Sequence, residues 1–328
     1  GLGDVYKRQL LNDCPDIKVY AGKAALDEIV SATPIDMVLT AMVGFAGLSP
    51  TIHAIQARKK ICLANKETLV VAGELICKLA QQHHVPILPV DSEHSAIFQS
   101  LVGESDNEIE KILLTASGGP FRTYTLEQMQ HVTAADALKH PTWEMGAKIT
   151  IDSASMMNKG FEVIEAKWLF GVPVEKIQVL VHPQSIVHSA VQFADGGIKA
   201  QLGVPDMRLP IQYAFSFPER LPLHGQRLDM FKQPLEFFEP DMGKFKCLAL
   251  AYEAMRQGGN MPCVLNAANE VVNEAFRHGK CSFLDMGNII EKTMQRVSYD
   301  KSSQYQIYVD TDAETRRVAE EMVHELRR

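Results

Sequence analysis

The sequence lacks the features that mark several classes of protein. Its six cysteines form no C-x-x-C pair, so neither a zinc site nor a disulfide scaffold is indicated, and reduced thiols are expected. Its 33 Lys and Arg residues are outnumbered by 40 Asp and Glu residues, and a net charge of −7 gives no general attraction for nucleic acid. No apolar run approaches the roughly 18 residues of a membrane span. With no secretory signal recognised, we expect a cytoplasmic protein.

The composition is that of a folded protein with a substantial core. Of the 328 residues, 46% are hydrophobic and 22% are charged, and this length predicts about two domains. In the first part of the chain, apolar strand-like runs alternate with helical periodicity, which predicts a parallel sheet with crossover helices. The predicted strands are 35–42, 60–64 and 85–90, and the predicted helices are 49–59, with Ser49 as its N-cap, and 68–84.

The pattern changes after residue 111. We predict strands at 111–116, 149–154 and within 177–204, a short helix after a capping box at Thr125, a loop at 139–147 and a helix at 160–170. A proline-marked segment precedes helices at 245–256, 262–278, 283–296 and 313–327. The predicted fold class is α/β: an incomplete Rossmann-like parallel-sheet domain (1–91), a mixed α+β central catalytic domain (92–216), a linker (217–243) and a C-terminal helical bundle (244–328).

Acidic side chains stand where a ligand of a parallel sheet would lie. Asp91 and Glu93 follow the predicted strand 85–90, at the edge of the sheet where such ligands bind. Carboxylate oxygens suit Mg²⁺ or Mn²⁺, and Glu162 could supply a third carboxylate. Taken alone, the Asp-Ser-Glu tripeptide is more typical of a helix N-cap, and Glu162 could simply favour the positive end of its helix.

A second group of residues has the chemistry of an anion site. Ser153, Asn158 and Lys159 offer a hydroxyl, an amide and an ammonium beside a helix N-terminus, which suits a phosphate, although Asn158 could merely cap the helix. Ser117 precedes two glycines that let a backbone approach a ligand, although a plain turn is the commoner interpretation. Asn65-Lys66-Glu67 could face a ligand or be a solvated strand end.

The loop 139–147 carries His140 and Trp143. An apolar tip beside a histidine suits a lid that excludes water, and the alternative is an apolar anchor in the core. His182 and His188 lie on a predicted strand without a third metal partner nearby. We interpret both as structural.

Several longer motifs occur together in a fixed order. These are Ala64-Asn-Lys-Glu67, Leu88-Pro-Val-Asp-Ser-Glu-His94, Ala116-Ser-Gly-Gly-Pro-Phe121, His140-Pro-x-Trp-x-Met-Gly146, Asp152-Ser-Ala-Ser-Met-Met-Asn-Lys-Gly160, Val181-His-Pro-Gln-Ser185, Gln201-Leu-Gly203, Pro205-Asp-Met-Arg208 and Leu265-Asn-Ala-Ala-Asn-Glu270. From about residue 19 to the C-terminus, the chain closely resembles the 1-deoxy-D-xylulose 5-phosphate reductoisomerase family. A series of long motifs in the right order is far more specific than any one of them.

The resemblance implies roles for individual residues. The implied metal ligands are Asp91, Glu93 and Glu162; the implied phosphate ligands are Ser117, Ser153, Asn158 and Lys159. Lys66, Ser92 and Glu93 would lie beside the substrate's oxygenated carbons, with His140 contacting the substrate and Trp143 covering it. Asn65, Glu67 and Gly146 would line the nicotinamide cofactor. Among these residues, Lys66, Glu93, His140 and Trp143 would be the catalytic ones.

The resemblance also implies a reaction. In the family, 1-deoxy-D-xylulose 5-phosphate is rearranged by retro-aldol and aldol steps, and NADPH reduces the resulting aldehyde to 2-C-methyl-D-erythritol 4-phosphate. The implied cofactors are NADPH and Mg²⁺ or Mn²⁺, with Co²⁺ a further option, and a homodimer is expected through 177–204. Two alternatives are a metal-dependent sugar-phosphate aldolase or isomerase without redox chemistry, and a chain that binds metal and phosphate without turnover.

One part of the family pattern is not found. The family begins with a strand and a glycine-rich turn that holds the cofactor pyrophosphate. Here Gly1-Leu-Gly3 could begin such a turn, but Tyr6 stands at the position where the next glycine is expected. Residues 1–9 match no motif. We therefore expect a chain that is truncated at the front of its nucleotide-binding domain.

Overall fold

A computed structural model describes residues 20–139, 143, 145–232 and 234–326. Within these residues the strands form two sheets. The first sheet is parallel in the order β1-β2-β3, with Val38 opposite Ile61 and Ile61 opposite Ile87. Its elements, in chain order, are α1 (Lys23–Val30), β1 (Met37–Thr40), α2 (Leu48–Gln56), β2 (Lys60–Leu63), α3 (Lys66–His83) and β3 (Ile87–Pro89).

The second sheet has mixed direction and the order β5-β4-β6-β7. Strand β4 is parallel to β5 and antiparallel to β6, and β7 closes the hairpin with β6. The elements around it are α4 (Ser92–Leu101), β4 (Ile109–Ala116), α5 (Leu126–Met129), α6 (Ala134–Ala137), α7 (Ala147–Ala154), α8 (Met157–Phe170), β5 (Ile177–Val181), β6 (Val187–Phe193) and β7 (Ile198–Leu202).

The last part of the described chain is helical. Amphipathic helices pack around α11, which is buried along most of its length. Helix α9 (Arg208–Ser216) precedes the bundle and packs against α4 and β3, and the bundle helices are α10 (Lys246–Gln257), α11 (Met261–Arg277), α12 (Phe283–Arg296) and α13 (Tyr305–Glu325). The predicted fold class is confirmed: a parallel α/β sheet, a mixed α+β region and a C-terminal helical bundle.

Side-chain caps explain where several helices begin. Asn65 accepts a hydrogen bond from the Thr68 amide at the start of α3, and Asp91 accepts one from the Glu93 amide at the start of α4. The predicted capping box at Thr125 is present, with Gln128 as its partner. The polar residues at the ends of β2 and β3 are therefore helix caps. They also lie at the carboxyl ends of parallel strands, where ligands of such sheets bind.

The structure corrects three sequence-based predictions. The strand predicted over 149–154 is wrong, because these residues belong to helix α7, where Lys148 and Asp152 face each other one turn apart. Ser49 is not an N-cap, because it lies within α2 and its hydroxyl donates to Asp27. The last helix begins at Tyr305, eight residues before the predicted start.

The largest apolar core is shared between the second sheet and the helical bundle. It includes Leu114 of β4, Phe161 of α8 and Leu265 of α11. Helices α8 and α10 pack closely where Gly160 meets Ala251, since a Cβ on Gly160 would lie only 2.6 Å from that of Ala251. A second core cluster, including Leu63 and Leu69, lies against the first sheet. Among the described helices, none combines the length and apolarity that crossing a bilayer requires.

Candidate active site

Three carboxylates meet where the two sheets adjoin. Asp91 and Glu93 begin α4, and Glu162 comes from α8, yet a carboxylate oxygen of each lies within 4.8 Å of one on each of the others. Glu162 is 1% exposed, and its oxygens face the pair on α4. Three hard oxygen donors at this spacing fit a divalent ion such as Mg²⁺ better than a soft metal.

Two buried lysines share the carboxylates. Nζ of Lys66 lies 2.8 Å from Oδ2 of Asp91 and 3.2 Å from Oε1 of Glu162. Nζ of Lys159 lies 2.8 Å from Oε1 of Glu93 and also donates to Glu162. Burial would lower the pKa of Lys66, but the carboxylates of Asp91 and Glu162 raise it well above its usual value. Both ammonium groups are therefore charged, and they balance part of the negative charge.

The carboxylates differ in their electrostatic environment. Burial would raise the pKa of Asp91, but Lys66 and His94 hold it well below its usual range. Burial and the neighbouring Glu162 raise the pKa of Glu93 to about 7, although Lys159 opposes this rise. Of Asp91 and Glu93, Glu93 is therefore the one whose carboxylate accepts a proton near neutral pH.

A buried histidine and glutamate stand behind this cluster. Nε2 of His94 lies 2.9 Å from the backbone oxygen of Glu162, and its Nδ1 faces Asp91 at 3.5 Å and Glu165 at 3.6 Å. Burial would lower the pKa of His94, but Glu165 and Asp91 raise it to about 9. Sequence reasoning missed Glu165. Its spacing of three residues from Glu162 on one helix face was the available signal.

A cavity of about 260 Å³ opens beside the carboxylates. We call it the main cavity because the carboxylates line it, not because of its size. The side chains predicted to hold metal and phosphate surround this one space, together with Lys66 and Ser92, which were predicted to lie beside the substrate's oxygenated carbons, and Trp143 of the loop. They are Lys66, Asp91, Ser92, Glu93, Ser117, Ser153, Asn158, Lys159 and Glu162. Gly119 lets the turn after β4 approach α7, since a Cβ there would lie 2.8 Å from the backbone oxygen of Ser153.

The lid prediction is only partly covered by the described residues. His140 lies outside them. Trp143 lines the main cavity, with its ring centroid 6.4 Å from that of His188. Sequence reasoning treated His188 as structural, whereas β6 directs its side chain to the cavity wall. The alternation of side chains along β6 was the signal that could have indicated this position.

A second cavity of about 410 Å³ adjoins the first and shares Lys66 and Asn158 with it. Asn65, Glu67 and Gly146, the predicted cofactor residues, line this second cavity. Lys148 also lines it and pairs with Glu67, whose Oε1 lies 2.7 Å from Nζ. Sequence reasoning missed Lys148 because residues 149–154 were predicted to be a strand. Lys148 and Asp152 come together only on a helix, where residues four apart share a face.

Family models cover most of the chain. The model described as 1-deoxy-D-xylulose 5-phosphate reductoisomerase matches residues 4–73, so the similarity begins earlier than the motifs indicate. The model of the 1-deoxy-D-xylulose 5-phosphate reductoisomerase C-terminal domain matches residues 87–170, and that of the DXP reductoisomerase C-terminal domain matches residues 202–318.

Individual proteins are similar over nearly the whole chain. A 1-deoxy-D-xylulose 5-phosphate reductoisomerase of Bacteroides thetaiotaomicron is 66% identical over 96% of this chain and 81% of its own length. The solved reductoisomerase of Zymomonas mobilis in complex with NADPH is 41% identical, with a TM-score of 0.91 over 98% of this chain and 83% of that one. A DOX-P reductoisomerase in complex with NADPH, fosmidomycin and magnesium is 39% identical, with a TM-score of 0.92 over 99% of this chain and 85% of that one.

Proposed function

Because the chain belongs to the 1-deoxy-D-xylulose 5-phosphate reductoisomerase family, we propose that it converts 1-deoxy-D-xylulose 5-phosphate to 2-C-methyl-D-erythritol 4-phosphate in non-mevalonate isoprenoid biosynthesis. The reaction uses NADPH and a divalent metal ion. The observation that carries this proposal is the convergence of the three carboxylates and the phosphate-type donors on the main cavity.

Asp91, Glu93 and Glu162 are the proposed metal ligands. Their oxygens are close enough to one another to share an ion, and hard carboxylate donors suit Mg²⁺ and Mn²⁺, with Co²⁺ a further option. When bound, the ion would polarise the substrate carbonyl and NADPH would supply the hydride. Lys66 and Ser92 lie beside the carboxylates, where they would orient the substrate's oxygen atoms.

The phosphate group would lie against Ser117, Ser153, Asn158 and Lys159. Two hydroxyls, an amide and an ammonium offer neutral and charged donors to an anion. Asn158 precedes Glu162 by one helical turn and donates to its Oε1 over 2.5 Å. A proposed phosphate ligand and a proposed metal ligand are therefore in direct contact. Binding the phosphate away from the reacting carbons would hold those carbons in place.

The loop that contains His140 and Trp143 is the proposed lid. Trp143 already forms part of the wall of the main cavity, and Gly146 is the N-cap residue of α7 at the end of the loop. Closure of such a loop would keep water from the aldehyde. His140 would contact the substrate from this loop.

Asn65, Glu67 and Gly146 would line the nicotinamide portion of NADPH in the second cavity. The adjacency of the two cavities at Lys66 favours the reductoisomerase over an aldolase or isomerase without redox chemistry, because hydride transfer needs both ligands in contact.

We also propose a cytoplasmic homodimer. Strand β7 is an edge strand of the second sheet in the described chain, and its Ile198 is 58% exposed. An edge with unpaired backbone groups and an exposed apolar side chain is suited to pairing with a second copy.

The proposed activity is tested by following NADPH oxidation with the purified 328-residue protein. We expect oxidation that requires both deoxyxylulose phosphate and Mg²⁺, and recovery of methylerythritol phosphate in equal amount. Carbon–carbon cleavage without NADPH would favour the aldolase. Calorimetric binding of Mg²⁺ and substrate without oxidation would reject the catalytic proposal for this chain and favour the binding-only alternative.

A further inference from the structure

Two asparagines of the helical bundle contact a buried carboxylate beside both cavities. Asn269 and Asn273 lie one turn apart on α11, and the side-chain amide of each donates a hydrogen bond of 2.8 Å to Oδ1 of Asp152. Both asparagines are fully buried, and Asp152 is 2% exposed. Asn273 also donates to the backbone oxygen of Lys148 over 2.9 Å. The bundle thus contacts both ends of α7.

The contacts continue from Asp152 to the second cavity. Oδ2 of Asp152 lies 3.1 Å from Nζ of Lys148, and the same ammonium lies 2.7 Å from Oε1 of Glu67. Glu67 accepts a further hydrogen bond of 2.9 Å from Asn65, the N-cap residue of α3. A continuous polar network therefore runs from α11 through α7 to the end of β2.

The same carboxylate is next to the main cavity. Ser153, a proposed phosphate ligand, directly follows Asp152 on α7 and lines that cavity. Because Asp152 is held on one side of the helix, the direction of Ser153 on another side is fixed as well. Fixing Asp152 thus sets the position of Ser153 at the main cavity and of Lys148 at the second cavity.

This network joins the helices at a cost in the stability of the fold. The amide oxygens of Asn269 and Asn273 are buried without a hydrogen-bond partner in the described part of the chain. A buried acceptor left unpaired destabilises the fold, and buried ion pairs are often less stabilising than well-packed apolar residues. Stability alone therefore does not account for placing these amides on a carboxylate.

We propose that Asn269 and Asn273 are positioning residues that act through Asp152, setting Ser153 in the main cavity and Lys148 and Glu67 in the second cavity. The inference rests on the proposed function for the identity of the two ligands. It also gives a role to Leu265-Asn-Ala-Ala-Asn-Glu270, a motif whose second asparagine is far from the metal ligands in sequence.

Two variants test the network in different ways. Asn269→Leu removes one donor to Asp152 at similar volume. Asp152→Asn keeps an oxygen that can accept from both asparagines but removes the charge that faces Lys148. Asn288→Leu is the matched control, since Asn288 is exposed on α12 and contacts only Lys246 among the described hydrogen bonds. If Asn269→Leu does not fold, Asn269→Ala, which removes the same donor to Asp152 with a smaller side chain, decides the test.

The first measurement is amide hydrogen exchange, which requires no ligand. We expect exchange in residues 147–154 to accelerate about tenfold in both network variants, while exchange in α12 stays as in the unmodified protein. Unchanged exchange in 147–154, or an equal acceleration in α12, would overturn the inference, since the latter would indicate general destabilisation.

The second measurement is the dissociation constant of NADPH together with steady-state kinetics. The dissociation constant and the KM for deoxyxylulose phosphate should rise about tenfold, with kcat at saturation within about twofold. A fall in kcat without a change in either binding constant would contradict positioning. If the unmodified protein does not oxidise NADPH, the proposed function fails, and the exchange comparison still decides the inference.

Discussion

Nζ of Lys66 lies 3.2 Å from Oε1 of Glu162, although 96 residues separate the two in sequence. Their side chains are 8% and 1% exposed, so the contact is shielded from solvent. It joins the first turn of α3, which follows strand β2 of the parallel sheet, to α8 beside the mixed sheet. The site is therefore built across the two sheets, and changes at either end of the contact should affect it.

Replacing Glu162 with glutamine should remove most metal binding. The change keeps the shape of the side chain but takes away one of three charges that face the proposed ion. We expect the affinity for Mg²⁺, measured by calorimetry, to fall about a hundredfold or more and turnover to be lost. Glu253→Gln, whose side chain is 44% exposed and far from the site in sequence, is the control. Turnover retained at ordinary Mg²⁺ concentration would contradict the assignment.

Replacing Lys159 with alanine should chiefly weaken binding of the substrate phosphate. Its ammonium is the charged member of the phosphate-type donors, so we expect the KM for deoxyxylulose phosphate to rise about tenfold or more. The affinity for Mg²⁺ should not fall, because this ammonium also competes for Glu93. Lys301→Ala on the surface is the control. Weakened Mg²⁺ binding with an unchanged KM would show that Lys159 does not serve the phosphate.

Binding of Mg²⁺ should depend on pH through Glu93. Burial and Glu162 raise the pKa of Glu93 to about 7, so this carboxyl is protonated below that pH in the metal-free protein. An ion must then displace the proton, and the dissociation constant should rise about tenfold for each pH unit below this value. Above it, Glu93 is already ionised and the affinity should level off.

Calorimetry in buffers of different ionisation enthalpy measures this proton directly. We expect nearly one proton to be released per Mg²⁺ at about pH 6 and almost none at about pH 8.5. In Glu93→Gln, any remaining binding should release no such proton. Equal proton release at both pH values would show that Glu93 is not the titrating ligand.

Replacing Gly73 with alanine should destabilise the fold. A Cβ on Gly73 would overlap the indole ring of Trp168, and Ala72 just before it already departs from helical dihedral angles. We expect a loss of about 1 to 3 kcal/mol in the free energy of unfolding, measured with urea. Gly73→Ala combined with Trp168→Leu should lose less than the sum of the single changes. Full additivity would show that the ring is not the obstacle.

Much of the fold could be predicted from local sequence patterns. The alternation before residue 91 predicts the parallel sheet, and the box at Thr125 and the helix at Phe283–Arg296 occur as expected. The strand predicted over 149–154 fails because Ile149, Thr150 and Ile151 favour strands locally, whereas the contacts of Asp152 with α11 favour a helix. The assigned roles of the site residues and the domain boundaries stay predictions.

The sequence by itself determined the types of chemistry available: hard carboxylate donors, anion-binding side chains at helix starts, and a family resemblance carried by motifs in order. Only the tertiary structure decided which of them share a space, because the folded chain brings Glu162 to Asp91 and Asn269 to Asp152 across wide gaps in sequence. Local pattern reports which face of a helix or strand is buried. It does not report which other element covers that face, since that depends on how all the elements pack together.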